Sequence, residues 1–335
     1  MKKMTKLPRK LAFLPAILLS FSLTACGGQG DSRFVFSLAH HNPVGGVYDY
    51  AIRHFADLVY QKTDGGVTIN VFPAAQLGGE RDVLEGLSMG ILDMTLNTSA
   101  LIMNLVPEFG LLDLPFLFED YDAARAAIEG PGGQMLGDKL LQQHGVRMLA
   151  GWNSGFRIMM TTGTPIHNLA DFSGVRMRAP ETPVYIQMFQ ALGANPTPMP
   201  FAEVYTALQL GVVDGVEVAA EPMYTMRFHE VGSYLILTDH IFSAMMPLIN
   251  EQRYQSLPPE YRAAIHEAMA IATDMQWPLF TQASEDALQS MIGYGLTAIE
   301  IDREPLRQAT LPMHERFAEE LNAWELIGLL SAPSN

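Results

Sequence analysis

The chain alternates between two hydrophobic periods. Phe34-Val-Phe-Ser-Leu-Ala39 reads as a first strand, stopped by His40-His41-Asn42-Pro43. Tyr48 to Gln61 then takes helical spacing, with Ala51, Phe55, Leu58 and Val59 on one face and Gly65-Gly66 closing it. Val67 to Phe72 is a second strand. Gly78-Gly79 opens a helix through Arg81, Val83, Leu84, Leu87 and Met89, and Ile91 to Leu96 is a third strand running into Asn97-Thr98-Ser99. This βαβαβ succession is how an α/β lobe with a parallel sheet begins.

The pattern continues with an apolar loop at Leu111 to Phe118 and two helices between Tyr121 and Leu141, parted by Gly130-Pro-Gly-Gly. Val146 to Ala150 is a strand, and Gly151-Trp-Asn-Ser-Gly-Phe-Arg157 reads as a Gly-rich turn suited to a crossing between lobes, with a hinge near Gly155. Val175, Met177 and Ala179 alternate with Arg176 and Arg178 as in a strand with two unlike faces, which Pro180 ends. Pro183 to Leu192 reads as a helix, stopped by Gly193 and the Asn195-Pro-Thr-Pro-Met-Pro run. A helix from Phe201 feeds the short buried strand Val212 to Glu217. Ser233 to Ile241 and Met245 to Asn250 are strands, with a second crossing expected at Phe242-Ser-Ala. Pro259 to Met291 reads as one long helix with Pro278 as a place for a kink. Leu296 to Ile301 is a last strand, and Glu304 to Leu330 is helical. No internal repeat is evident.

Composition narrows the class. At 335 residues, with 48% apolar and 17% charged residues, the chain can bury the core of two lobes and does not resemble a disordered protein. Residues 1–25 read as an export signal: Lys2, Lys3, Lys6, Arg9 and Lys10 precede the apolar run Leu11 to Leu23, which meets Thr24-Ala25-Cys26-Gly27. Small residues before a cysteine resemble a bacterial lipobox, with Cys26 lipidated as the mature amino terminus; the other reading is an ordinary cleaved signal with an incidental cysteine. Residues 26–32 then form a tether. Cys26 is the only cysteine, so no intrachain disulfide is available. Loss of five basic residues moves the net charge from −15 to about −20, which argues against nucleic acid or anionic lipid as a partner and leaves an anionic ligand to be held locally.

Arg178 falls at the carboxyl end of its strand, facing a helix start. That rim is where open α/β sheets dock ligands, and a guanidinium there offers a planar fork matched to a carboxylate. A structural ion pair with Glu181 or Glu203 is the alternative. His40-His41 does not read as a metal site, because adjacent strand residues face opposite ways and no second ligand cluster accompanies them. A nucleophile elbow is absent, since Gly151-Trp-Asn-Ser-Gly puts its serine one place late, and neither a phosphate loop nor a zinc motif occurs.

The stretch Gly174 to Glu217, "GVRMRAPETPVYIQMFQALGANPTPMPFAEVYTALQLGVVDGVE", closely resembles the solute-binding subunits of TRAP (tripartite ATP-independent periplasmic) transporters, the DctP-like family. The likeness extends through "FPAAQLGGERDVLEGLSMGILDM" and "VPEFGLLDLPFLFEDYDAA", and covers about Phe34 to Leu330. It implies a two-lobe periplasmic-binding-protein architecture, α/β, with a long helix spanning both lobes: lobe I from 33–155 plus 243–280, lobe II from 156–242 plus 281–306, and a C-terminal helical segment, 307–335, across them. It implies a receptor, not an enzyme, that binds an organic acid anion such as a dicarboxylate, keto acid or sugar acid and delivers it to the permease's small and large membrane subunits, with no cofactor or metal. An exported enzyme acting on a carboxylate and a receptor of an ATP-driven system are the alternatives.

The same resemblance implies Arg178 as the carboxylate anchor, Arg157 as a second arginine, and Phe201 as an aromatic packed on the solute. Arg176 is expected to be structural. Cleft positions in the first lobe are His41, Glu80, Thr98 and Ser99, while Trp152, Asn153 and Glu181 border the site. Where many members read Gln-Glu-Asn-Pro, this chain has Val216-Glu-Val-Ala219, so Val218 replaces an asparagine of the clamp. Glu217 and Glu221 could then meet solute hydroxyls, or Glu217 could pair with Arg157 or Arg178.

Overall fold

A computed structural model of the chain describes residues 34–331. Cys26 and the expected export signal and tether lie outside the described residues. Twelve strands are present among these: β1 (Phe34–Ala39), β2 (Val67–Phe72), β3 (Met94–Thr98), β4 (Val146–Met148), β5 (Trp152–Phe156), β6 (Ile158–Thr161), β7 (Arg176–Ala179), β8 (Asn195–Pro198), β9 (Gly215–Val218), β10 (Tyr234–Leu237), β11 (Phe242–Asn250) and β12 (Thr297–Glu300).

They form two sheets. The first has the order β2-β1-β3-β11-β4, with β5 also paired to β11; the second has the order β12-β10-β6-β9-β7-β8. In the first, β1, β2 and β3 run parallel, as the opening βαβαβ pattern demands, and β11 returns antiparallel to β3. The helix Val47–Lys62 lays Ala51, Ile52, Phe55 and Val59 against Phe36 and Leu38, and these side chains are almost wholly buried. Burial of each large apolar side chain is worth about 1.5–3 kcal/mol.

The chain passes between the sheets at Arg157, the single residue between β5 and β6, and again at Thr238–Ile241 between β10 and β11. The two crossings are bonded to each other: Arg157 N donates to Ile241 O at 2.8 Å, and His240 N donates to Arg157 O at 3.3 Å. Two expectations change here. Gly151 to Arg157 is a strand rather than a turn over most of its length, because the long helix supplies its side-chain partners: Trp152 Nε1 donates to Thr273 Oγ1, and Gln276 exchanges two hydrogen bonds with the Asn153 backbone. Phe242-Ser-Ala is not a break but the start of β11. Phe242 pairs with Phe156 and stacks on Trp277, and a register irregularity between Phe242 and Ala244 absorbs the small residues that looked like an interruption. Gly155 has φ +80°, and a Cβ there would come within 2.9 Å of the Phe280 ring and 3.0 Å of Ala219, so this position excludes a side chain.

The helix Pro259–Tyr294 is 36 residues long, about 54 Å at 1.5 Å per residue. It packs on Val47–Lys62 in the first lobe and on the helix Ala220–Thr225 in the second. Pro278 sits inside it without ending it. Beside the proline, the Trp277 carbonyl accepts from Asn153 Nδ2 and Thr281 Oγ1. The C-terminal helices touch both halves: Leu330 lies against Gly132, His314 Nε2 meets Pro115 O at 2.7 Å, and Arg316 bonds to Gln187.

A short repeat also emerges. Leu87-Ser-Met-Gly-Ile-Leu-Asp93 and Leu208-Gln-Leu-Gly-Val-Val-Asp214 occupy the same helix-to-strand turn in the two lobes. Both glycines have positive φ, and each aspartate accepts a backbone N–H from the neighbouring strand, Ser37 at 2.8 Å and Arg176 at 2.9 Å.

Candidate functional site

Arg178 projects from the carboxyl end of β7 into the space between the sheets, and only 4% of it is exposed. Its Nε and Nη2 donate to Met199 O at 3.2 and 2.9 Å, and its guanidinium lies 5.6 Å from the Phe201 ring centre. Among the described residues no carboxylate lies within salt-bridge distance of it; Glu181 and Glu203 are exposed and do not pair with it. Burial pulls its pKa down to about 10, with Glu217 at longer range pulling the other way. It remains a cation at neutral pH.

Arg157 is equally buried and has the opposite surroundings. Its Nε and Nη2 grip both carboxylate oxygens of Glu217, and Nη2 also donates to the Glu217 carbonyl at 2.9 Å. Burial opposes its charge, but Glu217 holds its pKa above the ordinary value. Burial likewise acts to raise Glu217, and Arg157 outweighs it and keeps the carboxylate ionised. His240 Nε2 lies 3.6 Å from the same carboxylate, and His240 Nδ1 meets Thr238 Oγ1 at 2.8 Å. Glu217 therefore ties together the two crossings and is not free to meet a solute. The register explains it: β6 and β9 pair Ile158 with Val218 and Met159 with Glu217. On the other side of Arg157 stand the Tyr185 ring, 5.0 Å away, and Asp113, whose Oδ1 accepts from Ser99 at 2.9 Å and from Tyr185 at 3.3 Å. Burial pushes Asp113 up to about 7.

Two adjoining spaces share Arg178. A small chamber of about 50 Å³ is lined by His41, Asn42, Tyr48, Glu80, Thr98 and Ser154 together with Arg157, Arg178, Phe201, Val218 and Pro222. A larger vestibule of about 320 Å³ is lined by Gly79, Glu181, Met199 and Met226 and shares His41, Glu80, Arg178 and Phe201. Phe201 and His41 face each other across the cleft, ring centres 6.0 Å apart. Glu80 opens the helix Glu80–Ser88, and its Oε1 accepts from Thr98 N at 2.5 Å and Thr98 Oγ1 at 2.7 Å, leaving Oε2 3.8 Å from His41 Nε2.

The structure thus brings Arg178, Arg157, Phe201, Glu80, His41 and Thr98 into one cleft, with Glu181 at its mouth. Trp152 and Asn153 do not line it, because their polar atoms are taken up by the long helix. Ser99 is turned to Asp113, and Arg176 pairs with Asp214 on the far end of β7. Glu221 is buried near Gly46 and Val47, and burial pushes it up to about 7. Asn42, Tyr48, Ser154, Asp113 and His240 were not expected at the site. Asn42 before a proline reads as a turn residue and Tyr48 as the start of an amphipathic face, so neither signalled a cleft position.

Two α/β lobes joined by paired crossings hold between them a buried guanidinium with no carboxylate partner among the described residues, an arrangement suited to receiving an anionic solute. The family described as bacterial extracellular solute-binding protein, family 7, matches residues 38–321, and the chain belongs to it. It is 34% identical over 322 residues to the C4-dicarboxylate-binding periplasmic protein of Rhodobacter capsulatus, covering 95% of each chain. It is 32% identical to the 2,3-diketo-L-gulonate-binding periplasmic protein of Escherichia coli, covering 77% of this chain and 79% of that one. The crystal structure of the sugar acid binding protein of Advenella mimigardefordensis with galactonate superposes with a TM-score of 0.86 at 30% identity, covering 89% of this chain and 97% of that one. A TRAP periplasmic solute binding protein of Roseobacter denitrificans with bound β-D-glucuronate gives 0.86 at 27% identity, covering 90% and 100%. The protein is accordingly a periplasmic receptor of a TRAP transporter for a small organic acid, with the membrane permease as its partner, and not an enzyme.

Proposed function

We propose that Arg178 is the anchor for the solute's carboxylate and that the solute is a sugar acid in preference to a simple dicarboxylate. The observation that carries this reading is the contrast inside the cleft: Arg157 is neutralised by Glu217, whereas Arg178 faces the chamber with only the Met199 carbonyl as hydrogen-bond partner among the described residues. One free cation suits one carboxylate. Closure of the lobes excludes water and strengthens the pairing, Phe201 and Val218 pack on the solute's hydrocarbon, and the closed form docks on the permease. Relatives with bound galactonate and glucuronate support the sugar-acid reading. Arg157 acts beside Arg178 as the second, already compensated arginine of the site. Lipid anchoring through Cys26 belongs to the same proposal and rests on the sequence around it.

A thermal-shift screen of the exported domain, beginning near Ser32, against organic acids with and without hydroxyl groups tests the proposal. A ligand at 100 times its dissociation constant adds about 2.7 kcal/mol, a shift of several degrees. A shift confined to carboxylates and lost in Arg178→Ala is expected. A shift of equal size in that variant would remove Arg178 from the role. For the anchor, incorporation of labelled palmitate that disappears in Cys26→Ser is the expected result, and no incorporation in the parent protein overturns it.

A further inference from the structure

The first-lobe side of the small chamber that Arg178 also lines carries side chains to which neither the sequence nor the family match gave a role. Asn42 and Tyr48 are 4% and 3% exposed, and Asn42 Nδ2, Tyr48 Oη and the neighbouring His41 Nδ1 are buried without a hydrogen-bond partner among the described residues. Ser154 stands beside the Tyr48 hydroxyl, close enough for a hydrogen bond that pulls the phenol's pKa down against burial, but the pair does not meet strict hydrogen-bond geometry, so the hydroxyl is not satisfied by it. A buried donor left without a partner loses free energy, and native structures tolerate few of them. Asn42 Nδ2 and Tyr48 Oη, two such donors on one wall of a cavity, mark a place built for something to accept from them.

Both side chains are held in position by other contacts. Asn42 O accepts from Ala74 N at 2.9 Å, and the Tyr48 ring packs on Phe280 with centres 5.2 Å apart. Burial pushes the Tyr48 phenol well above its ordinary value, so it stays a neutral O–H. The same wall offers no lysine or arginine: Glu80 and His41 lie beside it, and the arginines of the chamber are Arg157, already paired, and Arg178. A second carboxylate placed there would be buried next to Glu80 without compensation, which is far costlier than burying a hydroxyl. The opposite wall at Val218 and Pro222 is apolar and suits carbon-bound hydrogens.

We infer that Asn42 and Tyr48 form a second subsite that donates hydrogen bonds to an uncharged oxygen of the solute, a hydroxyl or carbonyl, so that the receptor takes a hydroxylated monocarboxylate. This rests on the reading of Arg178 as the carboxylate anchor. The two side chains act as specificity determinants: they set which organic acid is kept, while Arg178 sets that an acid is bound at all.

Titration calorimetry with D-galactonate, hexanoate and the dicarboxylate galactarate, on the parent protein and on Tyr48→Phe, Asn42→Ala and Arg178→Ala, tests it. The parent is expected to prefer galactonate to both other acids. Tyr48→Phe and Asn42→Ala should each weaken galactonate about tenfold or more, the range for removing one hydrogen bond to a buried partner, and leave hexanoate within about twofold. Tyr48→Phe keeps the packing on Phe280, so it carries the test if Asn42→Ala does not fold. Unchanged galactonate affinity in Tyr48→Phe, equal losses for galactonate and hexanoate, or a parent protein that prefers galactarate or hexanoate would each overturn the subsite. Arg178→Ala separates the two readings. If it abolishes binding of every acid while the subsite variants are silent, only the subsite fails; if it leaves binding intact, the anchor fails first.

Discussion

Arg157 and Arg178 stand in one cleft, equally buried, and the chain treats them in opposite ways. Arg157 lies on the crossing between the sheets, and its charge is spent on Glu217; Arg178 lies at the end of a strand and keeps its charge for the cleft. A buried ion pair is weak evidence of stabilisation, but breaking one by removing a single partner leaves an uncompensated charge. A buried cation without a partner is a standing cost unless something arrives to meet it. On the proposed reading the first arginine serves the hinge and the second the solute.

The strongest way to break this comparison is Glu217→Ala. It strands Arg157, and a loss of about 3–5 kcal/mol of stability is expected, read as a lower midpoint in urea unfolding. An unchanged midpoint would mean that the pair does not secure the crossings. Next comes Arg178→Ala, expected to leave that midpoint within about 1 kcal/mol of the parent while weakening solute binding by roughly 2–5 kcal/mol in calorimetry. If stability falls instead and binding holds, the two arginines have exchanged roles.

A smaller effect should come from Asp113, beside Arg157. Its carboxyl is raised by burial to about 7 from 3.8, so its folded state holds a proton that the unfolded state releases. Its contribution to stability is fully present below the unfolded value near 4 and is lost as pH rises through about 7. Asp113→Asn keeps an acceptor for Ser99 and Tyr185, and should flatten the fall in melting temperature between pH 4 and pH 7. A parent protein whose stability rises steadily over that window would contradict the assignment. The smallest effect is expected from Val218→Asn, which returns an amide to the chamber and should tighten binding of simple carboxylates by about 0.5–1.5 kcal/mol, measured by calorimetry. No gain for any carboxylate would show that the amide cannot reach the anchor from β9.

Local pattern carried the elements well. The alternation at Val175 to Ala179 gave a strand with Arg178 near its carboxyl end, and the uninterrupted helical spacing after Pro259 gave the long helix. What local pattern could not carry was who meets whom across the fold. Arg157 and Glu217 are 60 residues apart and become neighbours through the β6–β9 ladder, whose register no local period reveals. Trp152 and Asn153 looked like hinge residues open to a solute, yet their partners, Thr273, Gln276, Trp277 and Thr281, lie more than a hundred residues on. Tyr48 was hidden by its own helix, since an aromatic residue on an amphipathic face reads as core. The twin turns at Gly90 and Gly211 do not stand out as a repeat along the chain, because their likeness lies in the order of seven residues and not in composition.

The hold of the Met199 carbonyl on Arg178 bears on how fast the receptor works. Two of the guanidinium's donors are fixed before any solute arrives, so the fork does not have to be ordered during the encounter. Capture is then limited by diffusion of an anion to the site against the repulsion of a net-negative protein, and should quicken as salt screens that repulsion. Residence time, in contrast, is set by how often the lobes part.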